Sequence, residues 1–396
     1  MPITVRCFLT NLKNDIVTGA IDADELVECM LGYFGYGGFV DEKTAFFGRK
    51  QGDFALKVSC TNAGAVLKIE PGPQFDRGDL KPIREKIKSE ITSAGGTKVA
   101  SGILFSRGKT NGYFRYRDEF QLIPSIGPQL PYGGEQNPSI LEVSYESSTN
   151  LGFSFNRQMR KLYATELSLV VLLPTVVNLQ APNVTSGWVN DFEKPGFTDY
   201  RQIGYVHPRA QLDSFSDLSS YSPIPTVGNE EFYSDDVAHH SEFRIPDTLA
   251  SDLDKISRLS QDDRNKFLHA AYWLKVAGLN CPPANSQAFV ALVSSVEALI
   301  GKPKRTGHCD TCDRPVDEGN FALFSSFIDK YYLTGNVSAK RKKEFYNLRS
   351  DLAHGYVFRR DISPWGLKLR GSDEEAKFYR LHDLVRKLVL GWLKHI

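Results

Sequence analysis

The amino-acid sequence predicts an α+β protein, a β-rich N-terminal region followed by a C-terminal helical bundle. Three observations carry this. Apolar residues alternate with polar ones along stretches of the first 150 residues, the period of a half-buried strand. From about residue 267 onward apolar residues recur instead at three- and four-residue spacing, the period of an amphipathic helix. Glycine and asparagine turn signals separate the first set, and Gly or Pro breaks separate the second.

In the N-terminal region, alternation places strands at Phe54, Leu56 and Val58, at Phe114, Tyr116, Phe120 and Leu122, and at Leu141, Val143 and Tyr145. Turns are expected at Gly37-Gly38, Asn62-Ala63-Gly64, Gly95-Gly96, Asn111-Gly112 and Tyr132-Gly133-Gly134. A sandwich or barrel-like domain suits this pattern. One helix is expected near 157–173, followed by segments rich in Pro, Ser and Asp, so the region 1–245 reads as β-rich with a single helix.

The region 246–396 reads as helices. Phe267, Ala270, Ala271, Leu274 and Ala277 form one stripe, ending near Gly278 and the Cys281-Pro282-Pro283 break. Ser286 is placed to cap a second helix, with Phe289, Leu292, Val293, Val296, Leu299 and Ile300 on its apolar face and Gly301 beyond it. A third carries Phe321, Phe324, Phe327, Ile328 and Tyr331, a fourth Phe345, Leu348 and Leu352, and a last one Phe378, Leu381, Leu384, Val385, Leu388 and Trp392. Four or five amphipathic helices with short breaks make a bundle.

The length of 396 residues allows two domains, and a hydrophobic content of 41% is that of a globular protein. Six cysteines are ordinary intracellular usage. The most apolar run, from Leu167 to Val177, is too short to span a bilayer, contains Pro174 and follows Glu166. With no leader evident, a soluble, cytoplasmic protein with no membrane partner is expected.

At the end of the fourth helix stands Tyr346-Asn347-Leu348-Arg349-Ser350-Asp351-Leu352-Ala353-His354-Gly355. Arginine offers a permanent planar cation for a phosphodiester, and histidine is the side chain suited to proton transfer near neutrality. On a straight helix residues five apart diverge by about 140° and sit about 7.5 Å apart along the axis. Convergence of Arg349 and His354 therefore needs a bend at the Gly355 C-cap or a second subunit.

This stretch, together with Phe267-Leu268-His269-Ala270-Ala271-Tyr272-Trp273 and Ser294-Ser295-Val296-Glu297-Ala298-Leu299-Ile300, resembles the HEPN superfamily and, within it, the ApeA-like branch, over about the final third of the chain. That resemblance implies an α-helical module that commonly dimerises, many of whose members are endoribonucleases in antiviral defence, toxin or RNA-processing systems, while others are inactive binding modules. It implies Arg349 and His354 as paired catalytic residues and Glu297 at a frequently acidic position, either a supporting group or a partner for Arg349. Ser350 departs from the larger polar residue common in active members but keeps a hydroxyl able to bond a phosphate. The expected reaction is attack by the RNA's own 2′-OH, leaving a cyclic phosphate and a free 5′-OH, with no cofactor for catalysis. Expected partners are RNA, including tRNA, and a second copy of the chain in a homodimer. A phage-derived trigger is also expected, sensed or restrained by the N-terminal region. The runner-up is a non-catalytic nucleic-acid, nucleotide or protein-binding module.

Charge favours an anionic partner at this end. Residues 301–396 hold 19 Lys and Arg against 12 Asp and Glu, net +7, whereas residues 1–300 hold 29 against 35, net −6. Lys340, Arg341, Lys342 and Lys343 sit at a helix start, where the dipole disfavours cations, and are expected to contact RNA phosphates. Between the second and third helices, His308, Cys309 and Cys312 offer part of a structural zinc site; reduced thiols or a redox pair are the other readings. Gly108-Lys109-Thr110 fails as a phosphate loop, because five residues rather than four separate it from Gly102.

Overall fold

A computed structural model of the chain describes residues 12–16, 23–48, 54–61, 66–92, 94–125, 137–174, 176–180, 188–190, 197–199, 211–234, 242–280, 284–301, 305–308, 315–317, 319–333, 335–362 and 371–396. The chain divides into two units, one formed by Met1–Ala100, Ser144–Lys161 and Gln211–Phe215, the other by Ser101–Val143, Leu162–Ala210 and Ser216–Ile396. This division does not fall at the expected boundary of 245 and 246. Strands β5 (Ala94–Ser106) and β8 (Asn137–Ser148) and helix α4 (Leu151–Leu172) each contribute to both units.

In the first unit, the short α1 (Lys13–Ile16) and α2 (Ala23–Phe34) precede a four-stranded antiparallel sheet of β1 (Gly37–Asp41), β2 (Thr44–Phe47), β3 (Leu56–Cys60) and β4 (Val66–Pro71), in sequence order. Burial alternates along β3, because successive side chains of a strand leave opposite faces. Leu26 and Met30 of α2, Phe47, Leu56 and Ile69 of the sheet, Ile83 and Ile87 of α3 (Leu80–Thr92), and Phe153 of α4 share one core. Buried Glu25 accepts from Arg157 Nε at 2.7 Å and Arg160 Nη2 at 3.1 Å, so its charge is paired where water is excluded.

The expectation of a single helix in residues 1–245 is corrected: α1, α2, α3 and α5 (Asn229–Ser234) are helices as well, and α4 starts at Leu151 rather than near 157. Asn150 explains the earlier start, its Oδ1 accepting from the amides of Gly152 and Phe153 at the first turn of α4. The turn expected at Gly95-Gly96 lies inside β5. Turns expected at Asn62-Ala63-Gly64 and Tyr132-Gly133-Gly134 lie outside the described residues.

In the second unit, β6 (Phe114–Tyr116) and β7 (Phe120–Pro124) form a hairpin, β7 pairs with β8, and β9 (Val176–Gln180) pairs antiparallel with β5. Short strands follow: β10 (Trp188–Asn190) with β11 (Phe197–Asp199), and β13 (Thr226–Val227), parallel to β14 (Ile245–Pro246). Strand β12 (Gln211–Leu212) belongs to the first unit and pairs with β5 there. Helices α5 (Asn229–Ser234), α6 (Leu249–Arg258), α7 (Gln261–Asn280), α8 (Asn285–Leu299), α9 (Asn320–Tyr331), α10 (Ala339–Ala353), α11 (Arg359–Ile362) and α12 (Gly371–His395) complete it, with the hairpin β15 (Arg305–His308) and β16 (Pro315–Asp317) between α8 and α9. The α+β assignment holds.

All five apolar positions named on α7 are buried, as are Phe289, Leu292, Val293 and Val296 of α8. Each fully buried phenylalanine or leucine contributes roughly 1.5–3 kcal/mol relative to exposure, so the α7 and α8 stripes, packed on each other and on α12, form the centre of the bundle. Glu166, in the apolar stretch of α4, is fully buried and paired with Lys275 of α7 at 2.6 Å. Among the described residues no helix is long and apolar enough to cross a membrane.

Ser286 does not cap α8. The helix begins one residue earlier, after Ala284, and its first amides are met from elsewhere: Asp361 Oδ1 accepts from Asn285 N at 2.9 Å and Oδ2 from Ser286 N at 2.8 Å. The Ser286 hydroxyl instead accepts from the amide of Phe358 at 2.7 Å. A clasp thus ties the start of α8 to the segment that follows α10.

Candidate active site

Helix α10 carries the candidate residues. Ser338 starts it, its hydroxyl accepting from Arg341 N at 3.4 Å, and the inward stripe of Phe345 and Leu352 packs it onto the bundle. Phe345 meets Phe289 with ring centres 6.3 Å apart, and Tyr346 lies against Phe321 and Phe324 of α9. These contacts set the rotation of the helix. Lys340, Lys343, Asn347 and His354, spaced by three, four and seven residues, consequently fall on one exposed stripe.

Arg341 is also exposed, but Lys342 departs from the expectation of a phosphate contact. It is buried, and its Nζ is held by Asp329 and by Ser325 Oγ, the latter at 3.3 Å. Its position three residues before Phe345 turns it inward, so the four-cation run divides into three surface cations and one structural one.

Arg349 points to α8, where Nη2 donates to Glu297 Oε2 at 3.0 Å; about a third of each side chain is exposed. Its Nε is buried without a hydrogen-bond partner among the described residues. Glu297 is thus the ion-pair partner of Arg349, one of the two roles open to it. Ser350 is half-buried on the next position of the helix.

His354 caps α10. Its amide donates to the carbonyls of Ser350 at 3.0 Å and Asp351 at 3.1 Å, and Gly355 follows at φ +99°, a backbone region that favours glycine and lets the chain leave the helix. The imidazole is exposed and has no hydrogen-bond or ion-pair partner among the described residues. Helix α10 runs unbroken to Ala353, so the divergence expected of residues five apart persists: Arg349 faces Glu297 while His354 stands at the helix end. The structure brings Arg349 and Glu297 together and does not join His354 to either.

Of the residues that hold this end of the helix, the sequence marked Ser286 only as a cap for α8 and marked neither Asp361 nor Phe358. Asp361, Ser286 and Phe358, which is buried and packs edge-on against Phe289 at 5.8 Å, anchor the chain just beyond His354. No local spacing marks these contacts, because the partners lie more than 70 residues apart. Burial alone would raise the Asp361 carboxyl, but the hydrogen bonds from Ser286 and Asn285 outweigh it and hold the group below its ordinary value.

For the zinc expectation, His308 ends β15, whereas Cys309 and Cys312 lie outside the described residues. Among the described residues no group of three or more His, Cys, Asp or Glu side chains is arranged to hold a metal. No family model, curated protein or solved structure matches this chain.

Proposed function

We propose that the chain is a metal-independent endoribonuclease of the HEPN type, acting as a homodimer on RNA, including tRNA, in antiphage defence. The observation that carries this reading is the exposed stripe of α10, where Lys340, Lys343 and Asn347, followed by Asp351, lead to a solvent-facing His354 with no partner among the described residues. Cations along such a stripe would neutralise successive phosphates, and the histidine at its end would meet the chain they hold. In the proposed step the 2′-oxygen forms a bond to the adjacent phosphorus as the bond to the 5′-oxygen breaks. One imidazole takes the 2′ proton and another acid returns one to the departing 5′-oxygen. Two copies of His354 across a two-fold axis would divide these roles, and Arg349 would stabilise the charge developing on the phosphoryl oxygens once Glu297 yields it. The N-terminal region would hold the sensing or restraining function, released by a phage-derived trigger.

The Arg349–Glu297 pair favours the second reading, a nucleic-acid-binding module whose arginine is structural. Incubating wild-type, His354→Ala and Arg349→Ala proteins with total RNA and tRNA separates the two. The nuclease reading expects cyclic-phosphate ends from wild type in EDTA and a loss of at least about 100-fold in His354→Ala. The Arg349–Glu297 pair is partly exposed, so Arg349→Ala should cost no more than about 1 kcal/mol of stability. RNA binding without cleavage by wild type would refute catalysis.

A further inference from the structure

Away from α10, helix α12 buries a charged group whose donors are mostly unused. Arg386 is only 6% exposed, and its Nε and Nη1 have no hydrogen-bond partner among the described residues. A guanidinium carries five N–H donors and cannot shed its charge, so leaving them dry costs several kcal/mol unless something negative meets them. Among the described residues its acceptor is Asp383 Oδ1, 3.4 Å from Nη2, and the other oxygen of that carboxylate is taken by Lys387 Nζ at 2.7 Å. The Tyr233 ring lies 5.3 Å from the guanidinium carbon, and its hydroxyl is spent on the carbonyl of Leu172 at 2.9 Å. Aromatic contact accounts for one face of the group and for none of its N–H bonds.

The surroundings add positive rather than negative charge. His382 feels burial first and then the fields of Arg386 and Arg107, partly offset by Asp383, and is pushed down to about 4. Arg386 and Arg107 thus both act on His382 against Asp383, whose second oxygen Lys387 holds, while Asp252 acts on Tyr233 and is already bonded to Lys255 at 3.2 Å.

We propose that Arg386 anchors an internal site for a small oxyanion of the phosphate or sulfate type, which accepts from the unused guanidinium N–H groups within the field of Arg107 and His382. Charge-assisted bonds from a guanidinium to an oxyanion are the strong ones, and bringing in a negative charge removes the reason for His382 to stay neutral. The site is separate from the α10 stripe and does not depend on the ribonuclease reading.

The test uses the full chain and inorganic phosphate, with sodium chloride at matched ionic strength as control. The His382 ring resonance, identified by its loss in His382→Asn, is followed against pH by NMR, and thermal midpoints are read alongside. Phosphate should move the His382 midpoint up from about 4 toward the ordinary histidine value and raise the melting temperature in a saturable way. Arg386→Met should weaken the phosphate response by at least about tenfold. An unchanged His382 midpoint in wild type overturns the proposal whether or not the variant folds, since ordered water would then be what satisfies Arg386. A phosphate response that survives in Arg386→Met also overturns it, by placing the anion elsewhere.

Discussion

Replacing Asp361 with alanine should unlock the end of the candidate helix. The carboxylate accepts from two amides at the start of α8, at 2.9 and 2.8 Å, and from Asn285 Nδ2 at 3.0 Å. Loss of a side-chain cap costs about 1 kcal/mol, and loss of a partly buried negative charge at a helix N-terminus about 1 kcal/mol more. The sum of about 2 kcal/mol corresponds to a fall of roughly 4–8 °C in melting temperature for a domain of this size. Asp361→Asn, which keeps one acceptor but no charge, should lose about half as much. The pH dependence carries a sign. Because the folded carboxyl is held below its unfolded value of 3.8, this stabilisation is complete above that value and is lost as pH falls through the folded one. Urea denaturation of wild type and both variants at pH 7 and pH 3 checks this. Equal stability of wild type and Asp361→Ala at pH 7 would show that the clasp contributes nothing, and with it the account of how the segment after His354 is held.

Other consequences follow from buried charge. In buffers free of phosphate and sulfate, His382, at about 4 when folded against 6.5 when unfolded, makes the protein lose stability as pH falls from about 6.5 to 4, by on the order of 3 kcal/mol. A pH titration of unfolding free energy that is as steep in His382→Asn as in wild type would contradict this. Within the basic run, Lys340→Ala and Lys343→Ala should leave stability unchanged and flatten the salt dependence of RNA binding, while Lys342→Ala should cost about 1 kcal/mol of stability, its partner Asp329 being half exposed. A reversed pattern would mean that α10 presents a different face.

Periodicity made the bundle legible because its helices bury continuous stripes: each apolar residue named on α7 proved buried, and β3 and β8 lie where alternation placed strands, while the alternating stretch from Phe114 to Leu122 is the two strands of the β6–β7 hairpin. Strand alternation did not mark α2 and α3, yet Leu26, Val27 and Met30 of α2 and Leu80, Ile83 and Ile87 of α3 recur at the three- and four-residue spacing of a buried helix face and pack into one core.

The candidate site divides in the same manner. Local order along the chain determined that Arg349 and His354 lie five residues apart on one helix, that Gly355 ends it, and that cations crowd its start, since all three depend only on neighbouring residues and helix geometry. Packing decided what local order could not: Lys342 turned inward to Asp329, Arg349 met Glu297, and Asp361 reached across 76 positions to cap α8. Those outcomes depend on which faces of separate helices meet, and a side chain's partner in a folded core is set by three-dimensional proximity, which no spacing along the chain encodes.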